Sequence, residues 1–596
     1  MHAQQGRSSD DLAKMRRLSP RRKTTQATDV SQLVAEQLTH FGIDRETPFG
    51  ESLASVATHL YECQGDLETL WRLTLESIDS LDRSDRIAYF NAKKFLSFQL
   101  AKLLDTLQNP ARRSYQSLGY TQSTLTAKGP YAVFDNVTAI FSANPVIART
   151  ATYIYACAEW IEDAFQGKEL LLEIYSRLLN PTSVSLANHM VDLEAGAYAR
   201  QYFAWNFNSG MAAIDAVLAH VLGRDDVLVT SRHLYGGAHQ LIHDWYAKSS
   251  NLDIGVEMFD GYEAEDFLAA TKRVEKRFAD RFAEGRRAYV YLESPCNPHG
   301  YVLDVPAICR EAHQLGMRVI LDATVGTPFL VRPLQREDPT ERPDFVVHSY
   351  TKDLSGAGSV IAGVVIGRNE DMFLPKGESV GSISWDQTLF WNVYYVKGAF
   401  LNADAAFEVL QGMRTLDVRM LAKCINTKIL VEFLAAHPGI NVHSSGRGES
   451  DLAKKARALV YLGLAPPLFT IDMPGLDREA FQRFFDCLAP TFDHMISLGQ
   501  SNTIVSCPAL TTHSELNEEQ LKEAGISPTT IRFAVGHEDP KGLIAHFISA
   551  ARLALDPVVP GFSDKFMSAE QIDALVRDCY LDVHRRYIES QPKMEV

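Results

Sequence analysis

Lys352 stands in His348-Ser349-Tyr350-Thr351-Lys352-Asp353-Leu354-Ser355-Gly356, just past a short apolar run, Phe345-Val346-Val347, that reads as a buried strand. A lysine at the end of such a strand is costly unless it is paired or used covalently. The hydroxyls of Ser349 and Thr351 suit a phosphate, because each can donate to an anionic oxygen. The Gly-rich turn Gly356-Ala357-Gly358 follows. A lysine beside a phosphate cradle is the arrangement that forms a Schiff base with pyridoxal phosphate. The competing reading is a strand-end lysine that simply reaches water, and this motif alone balances the two evenly.

The elements that must position Lys352 lie in residues 183–367, where strand-like and helix-like patterns alternate. Apolar runs occur at Val227-Leu228-Val229, Tyr289-Val290-Tyr291-Leu292, Arg318-Val319-Ile320-Leu321 and Phe345-Val346-Val347. Between them lie helical spacings such as Val305, Ile308, Ala312 and Leu315. Near-continuous apolar strands with intervening helices predict an α/β fold with a parallel sheet covered on both faces. Such sheets bind ligands outside the carboxyl ends of their strands. Glu293 follows one predicted strand in Glu293-Ser294-Pro295-Cys296-Asn297-Pro298, Asp322 ends another, and Lys352 lies beyond a third. Ser209-Gly210-Met211-Ala212-Ala213-Ile214 opens a helix running to about Leu222, and small residues there leave amides bare for an anion. Asp322 alone could cap a turn and Asn297-Pro298 could be only a turn; four such features at one edge favour a site. Tyr175 and Arg177 alternate, so in an extended segment they would share a face able to grip phosphate. Asn180-Pro181 marks a turn with a helix after it.

The chain has 596 residues, a prior for about three or four domains. Its 46% hydrophobic content is that of a globular protein. The net charge of −15 argues against nucleic acid or anionic membrane as a partner. No apolar run is long enough to cross a bilayer, and no signal-peptide core is evident. The eight cysteines contain no Cys-x-x-Cys pair, so neither zinc nor a disulfide framework is expected, and a cytoplasmic setting fits. The histidines, such as His513 and His537, lack metal-ligand spacing and read as structural.

Six segments are expected. Residues 1–29 read as a disordered basic tail around Ser19-Pro20. Residues 30–118 read as a helical extension, with Val30, Leu33, Val34, Leu38 and Phe41, then Leu53, Val56 and Leu60, at helical spacing. Residues 119–182 form an irregular arm, 183–403 a large domain and 404–556 a small one. In the small domain Phe469-Thr470-Ile471-Asp472 reads as a strand, residues 478–488 as a helix and 443–455 as a surface loop. Residues 557–596 form a helical tail that opens on the capping box Ser568-x-x-Gln571.

The ordered set of motifs resembles the Cys/Met-metabolism family of pyridoxal-phosphate enzymes, the trans-sulfuration enzymes. The likeness runs from about Tyr175 to about Leu555. It takes in Tyr175 to Thr182, Ser209 to Ile214, Leu234-Tyr235-Gly236-Gly237, Glu293 to Pro298, Asp322 to Pro328, Ser349 to Gly356, Leu410 to Met420, Ser497-Leu498-Gly499, Pro508 to His513 and Arg532 to Asp539. The resemblance implies a type I pyridoxal-phosphate fold with a smaller α+β C-terminal domain. It implies Lys352 as the Schiff-base lysine and proton carrier, Asp322 as partner of the pyridinium nitrogen and Tyr235 stacked on the ring. By the same likeness Gly210, Met211, Ser349 and Thr351 hold the phosphate, with Tyr175 and Arg177 reaching it from a neighbouring subunit of a dimer or tetramer. Arg532 would clamp the substrate carboxylate, assisted by Ser497 and Asn297.

Some positions depart from the family pattern: Asp322-Ala323-Thr324 replaces Asp-Asn-Thr, Ser355-Gly356-Ala357-Gly358-Ser359 replaces Ser-Gly-His-x-Asp, and Asn502 replaces Glu. Ile496, where cystathionine-selective relatives often carry Glu, fits a shorter or uncharged substrate tail. The expected activity is γ-replacement or γ-elimination on homoserine-derived or sulfur-containing amino acids. The rivals are β-elimination of the cystathionine beta-lyase type and a degenerate scaffold whose extensions bind a partner. Retention of Lys352, Asp322, Tyr235 and Arg532 opposes the scaffold.

Overall fold

A computed structural model describes residues 27–77, 94, 95, 98, 99, 102, 143–153, 158–165, 174–511 and 526–591. Residues 1–26 of the expected basic tail, His513 and most of the segment between 78 and 142 lie outside the described residues. The chain divides into two compact units, residues 1–146 with 154–171, and residues 147–153 with 172–596.

In the first unit, helix α1 spans Val30–His40 and α2 spans Pro48–Ser77. Asp29 caps α1, its carboxylate accepting from the Gln32 amide at 2.8 Å. Val30, Leu33, Val34 and Leu38 are buried as expected, whereas Phe41 lies past the helix end and is exposed. On α2 the buried face takes in Leu53 but not Val56 and Leu60. Ala54 is buried with Leu53, Ala57 and Tyr61 packed round it, while Val56 and Leu60 face outward. At 100° per residue a spacing that starts one position later selects another stripe, and small Ala54 admits the partner helix more closely than Leu60 could.

The second unit holds two main sheets and a two-stranded ribbon in which Ser379–Val380 pairs with Ile383–Ser384. Strands β1 (Tyr202–Phe207), β2 (Val227–Ser231), β3 (Gly255–Phe259), β4 (Ala288–Glu293), β5 (Arg318–Asp322), β6 (Phe345–Ser349) and β7 (Gly363–Arg368) form the larger one. Their spatial order is β1-β7-β6-β5-β4-β2-β3. β7 pairs antiparallel with β1 and β6, and the other pairings are parallel. The expected parallel sheet is thus mixed, because residues 350–362 form turns rather than a crossover helix and bring β7 back antiparallel beside β6. All five residues of β2 are buried, as are five of the six in β4, which is why these strands read as continuous apolar runs.

Strands β8 (Asn441–His443), β9 (Leu468–Asp472), β10 (Asp493–His494), β11 (Ile504–Ser506) and β12 (Ile531–Ala534) form the second sheet, in the order β8-β9-β12-β11-β10. One buried cluster runs from Val290 and Leu321 of the large sheet through Phe469 and Phe533 of the small one to Val583. The stretch 443–455 is not a plain surface loop: a helix spans Asp451–Leu459, capped by Ser450, whose hydroxyl accepts from the Ala453 amide at 3.2 Å. Its polar residues hid the helix, for among its described side chains only that of Ala456 is buried. The capping box of the C-terminal helix, Ala569–Ser590, is reciprocal: Ser568 Oγ accepts from the Gln571 amide at 3.3 Å and Gln571 Oε1 from the Ser568 amide at 2.8 Å. No helix among the described residues is long and apolar enough to cross a membrane.

Candidate active site

Three strands of the larger sheet end side by side. Glu293 closes β4, Asp322 closes β5 and pairs with it in register, and Ser349 closes β6. Helix Gly210–Val221 begins beside them. Its cap, Ser209, takes the Ala212 amide on its hydroxyl at 3.1 Å and the Ala213 amide on its carbonyl at 3.2 Å. The amides of Gly210 and Met211 precede the first intrahelical bond, so they stand at the positive end of the helix dipole. A side chain at 210 would place its Cβ 2.8 Å from Ser349 Cβ and 2.9 Å from Ser349 Oγ. Glycine there lets the backbone approach the Ser349 hydroxyl directly.

These ends open into a cavity of about 860 Å³ lined by Gly210, Met211, Tyr235, Glu293, Asn297, Asp322, Ser349, Thr351, Lys352, Ile496, Ser497 and Arg532. The carboxylate, asparagine, lysine and helix N-terminus expected at one sheet edge therefore share one cavity. Tyr175 and Arg177 are not among its lining residues. Tyr175 makes an antiparallel bridge to Thr152, and Arg177 lies on the turn that follows, where the Leu178 amide donates to the Tyr175 carbonyl at 2.9 Å, so the two do not share one extended face. The Arg177 guanidinium still sits 5.6 Å from the centre of the Tyr175 ring and donates to the Tyr395 carbonyl at 2.8 Å.

Lys352 Nζ donates to Ser497 Oγ at 3.1 Å. Burial lowers the lysine pKa, the Arg532 charge lowers it further, and Asp353 pulls the other way. Arg532 is nearly fully buried on β12. Its Nη1 donates to Asn297 Oδ1 at 3.1 Å and its Nη2 to the Ser497 carbonyl at 2.7 Å, while Nε is buried without a partner. Burial brings this guanidinium down to about 10. An unpartnered donor on so desolvated an arginine leaves part of the guanidinium's hydrogen-bonding capacity unused beside the cavity.

Glu293 shapes the loops around the cavity. Its Oε2 accepts from the Tyr235 amide at 2.5 Å and its Oε1 from the Asn297 amide at 2.9 Å, so one carboxyl group holds both segments. Burial pushes Glu293 well up, and the neighbouring Asp322 pushes it further. Burial raises Asp322 as well, but hydrogen bonds from Thr324, whose amide lies at 3.0 Å, and the nearby His348 hold it down. The Thr324 hydroxyl also receives the Ser349 amide at 2.9 Å, tying the turn after β5 to the end of β6. Ala323, at the position where the family pattern has Asn, is fully buried and leaves these bonds intact. Arg232, His233 and His239 also line the cavity and were not anticipated. The first two lie just past the end of β2, where the strand-end rule that singled out Asp322 would have found them. Among the described residues no group of three or more His, Cys, Asp or Glu could hold a metal ion.

Residues 134–552 match the profile of the Cys/Met metabolism PLP-dependent enzyme family. The chain is 30% identical over 408 residues to an L-methionine gamma-lyase of Porphyromonas gingivalis, covering 67% of this chain and 90% of that protein. It is also 30% identical over 427 residues to an O-acetyl-L-homoserine sulfhydrylase of Corynebacterium glutamicum, with 67% and 91% covered. A solved structure from Campylobacter jejuni that carries N'-pyridoxyl-lysine-5'-monophosphate is similar at a TM-score of 0.60 and 27% identity, over 73% of this chain and 100% of that one.

Proposed function

Since the chain belongs to the Cys/Met-metabolism family of PLP-dependent enzymes, we propose that this cavity carries out γ-replacement or γ-elimination on homoserine-derived or sulfur-containing amino acids, with Lys352 as its reactive amine. The observation that carries the reading is the convergence of Lys352, Asp322, Tyr235 and Arg532 on one cavity, with Lys352 and Arg532 both bonded to Ser497.

The residues present fit pyridoxal phosphate. The bare helix N-terminus, the Gly210 cradle and the hydroxyls of Ser349 and Thr351 supply an anion seat. Asp322, buried at a strand end, supplies a carboxylate for a ring nitrogen. When bound, the cofactor withdraws electrons from the substrate's α-carbon and so stabilises negative charge there. Lys352 would hold it, and its amine would move protons at the substrate's Cα and Cβ. Its lowered pKa makes the neutral, basic form more available at a given pH. Tyr235, 42% exposed and lining the cavity, would pack against the cofactor and supply a proton to the departing group. Arg532 receives the α-carboxylate on its spare donor, with Asn297 and the Ser497 carbonyl fixing the guanidinium plane. Ile496, 66% exposed and aliphatic, faces the variable tail. Tyr175 and Arg177 serve the phosphate of a neighbouring copy, which suits their place outside their own cavity and makes the working form at least a dimer. Cysteines that are all free among the described residues support a reducing setting such as the cytoplasm.

Purified protein, loaded with pyridoxal phosphate and offered a panel of amino acids with and without thiols, tests the reading. γ-Elimination yields 2-oxobutyrate, replacement yields a thioether, and β-elimination yields pyruvate. Pyruvate alone would overturn the γ assignment. Borohydride reduction followed by peptide mapping should place the pyridoxyl group on Lys352, and a label on another lysine would overturn the site.

A further inference from the structure

The reactive lysine is followed at once by an aspartate, and that aspartate is not free to pair with it. Asp353 is 1% exposed, and its Oδ1 accepts from Lys423 Nζ at 2.7 Å; the Lys423 side chain is equally buried. Lys423 lies midway along the 20-residue helix Leu416–Ala435, surrounded by Met420, Cys424 and Thr427, all buried. A lysine buried at such a place is costly unless paired, and breaking such a pair leaves an uncompensated charge. One turn earlier on the same helix, Arg419 reaches the same turn. Its Nη1 donates to the Asp353 carbonyl at 2.8 Å, and its Nη2 to the carbonyls of Gly412 at 2.8 Å and Leu354 at 3.4 Å. Two cations spaced four residues apart thus hold the side chain and the main chain of the residue after Lys352. From the other side Gly499 presses on the turn, for a Cβ there would lie 2.4 Å from the Asp353 amide nitrogen.

We propose that Lys423 is a positioning residue: by occupying the Asp353 carboxylate it fixes the turn bearing Lys352 and partly offsets that negative charge beside the amine. The proposal rests on Lys352 being the reactive amine. The charged and titratable groups that line the cavity with Lys352 are Arg532 on β12, Tyr235, Glu293, Asp322, Arg232, His233, His239 and Asp244, with Asp353 on its own turn; of these charges Arg532 and Asp353 act on the amine. Arg419 and Lys423 stand behind Asp353. Arg532 already favours the neutral amine, and Asp353 is the group that opposes it. Lys423 is therefore the residue whose removal changes the balance without touching the cavity.

The test uses the full-length protein without cofactor and reads the pH midpoint for acetylation of Lys352 by peptide mapping, since only the neutral amine acylates. Lys423→Met should raise that midpoint by about one pH unit, because Asp353 is left uncompensated next to the amine. Asp353→Asn should lower it, because a cation then stands unopposed. The double variant should return close to the wild-type midpoint. A pair that served stability alone would lower the melting temperature of each single variant and leave both midpoints in place; that result, or shifts in the same direction, overturns the proposal. If Lys423→Met does not fold, Lys423→Gln takes its place, and an unchanged midpoint in that variant overturns the proposal. Borohydride mapping on the wild-type holoenzyme decides separately whether Lys352 is the cofactor lysine.

Discussion

Arg532→Lys is the substitution that most sharply tests how the cavity holds its substrate. The arginine spends Nη1 on Asn297 Oδ1 and Nη2 on the Ser497 carbonyl, and keeps Nε unpartnered. A lysine ammonium keeps the charge but places its three donors about one atom, so it cannot serve both acceptors and an incoming carboxylate in one plane. At least one charge-assisted bond is lost, worth roughly 1.5–3 kcal/mol. Since about 1.4 kcal/mol is tenfold, kcat/KM should fall by roughly one to two orders of magnitude. The change falls on every amino-acid substrate alike, because all present the same carboxylate. Cofactor content should stay at the wild-type level, since Arg532 is bonded to Asn297 and Ser497 rather than to the phosphate seat. The measurement is steady-state kinetics over several substrates, together with the visible spectrum of the purified protein. Loss of bound cofactor, or impairment of one substrate only, would refute the placement of Arg532. An Ile496 variant provides the contrast: it should reorder the substrates and leave the common carboxylate contact intact.

Gly210→Ala forces a Cβ to within 2.8 Å of Ser349 Cβ. With overpacking costs of about 1–3 kcal/mol, cofactor affinity should fall by roughly tenfold, measured by titrating the apoprotein; unchanged affinity would remove Gly210 from the phosphate seat. Gly499→Ala meets both a left-handed backbone, φ +83°, and contact 2.6 Å from the Lys352 carbonyl carbon. It should destabilise the fold by about 2 kcal/mol or more, read by urea denaturation. Mixing Lys352→Ala with Arg177→Ala protein should restore part of the activity through hybrid sites, and a fully active monomer in light scattering would contradict a shared phosphate site.

Much of the site was legible in the residues because its chemistry sits at strand ends. Asp322, Lys352 and the Gly210 helix start are each marked by a local pattern: an apolar run, then a polar group at its end, or a cap followed by small residues. Such patterns are short-range, and backbone geometry alone carries them to one sheet edge once the strands are parallel. The same locality made Asn180-Pro181 readable as a turn before a helix and Ser568 as a cap; in the structure Asn180 Oδ1 accepts the Thr182 amide and Ser568 Oγ the Gln571 amide. Where tertiary packing chose between equivalent local options, the sequence left the outcome open. On α2 the buried stripe runs through Ala54 rather than Val56 and Leu60, because the partner helix decides which face is covered. Arg177 sits on the turn that follows Tyr175, yet the two come together through ring and guanidinium rather than through strand alternation. The charge balance at the lysine was hidden most completely. Asp353 is visible beside Lys352 in the sequence, but its partner Lys423 lies 70 residues further along, on a helix whose pattern shows only a lysine among apolar neighbours. The sequence by itself determined which groups stand at the strand ends, because those positions follow from local hydrophobic runs. Only the tertiary structure decided which charges face one another, because a buried ion pair is selected by the packing of distant elements and leaves no period in the chain.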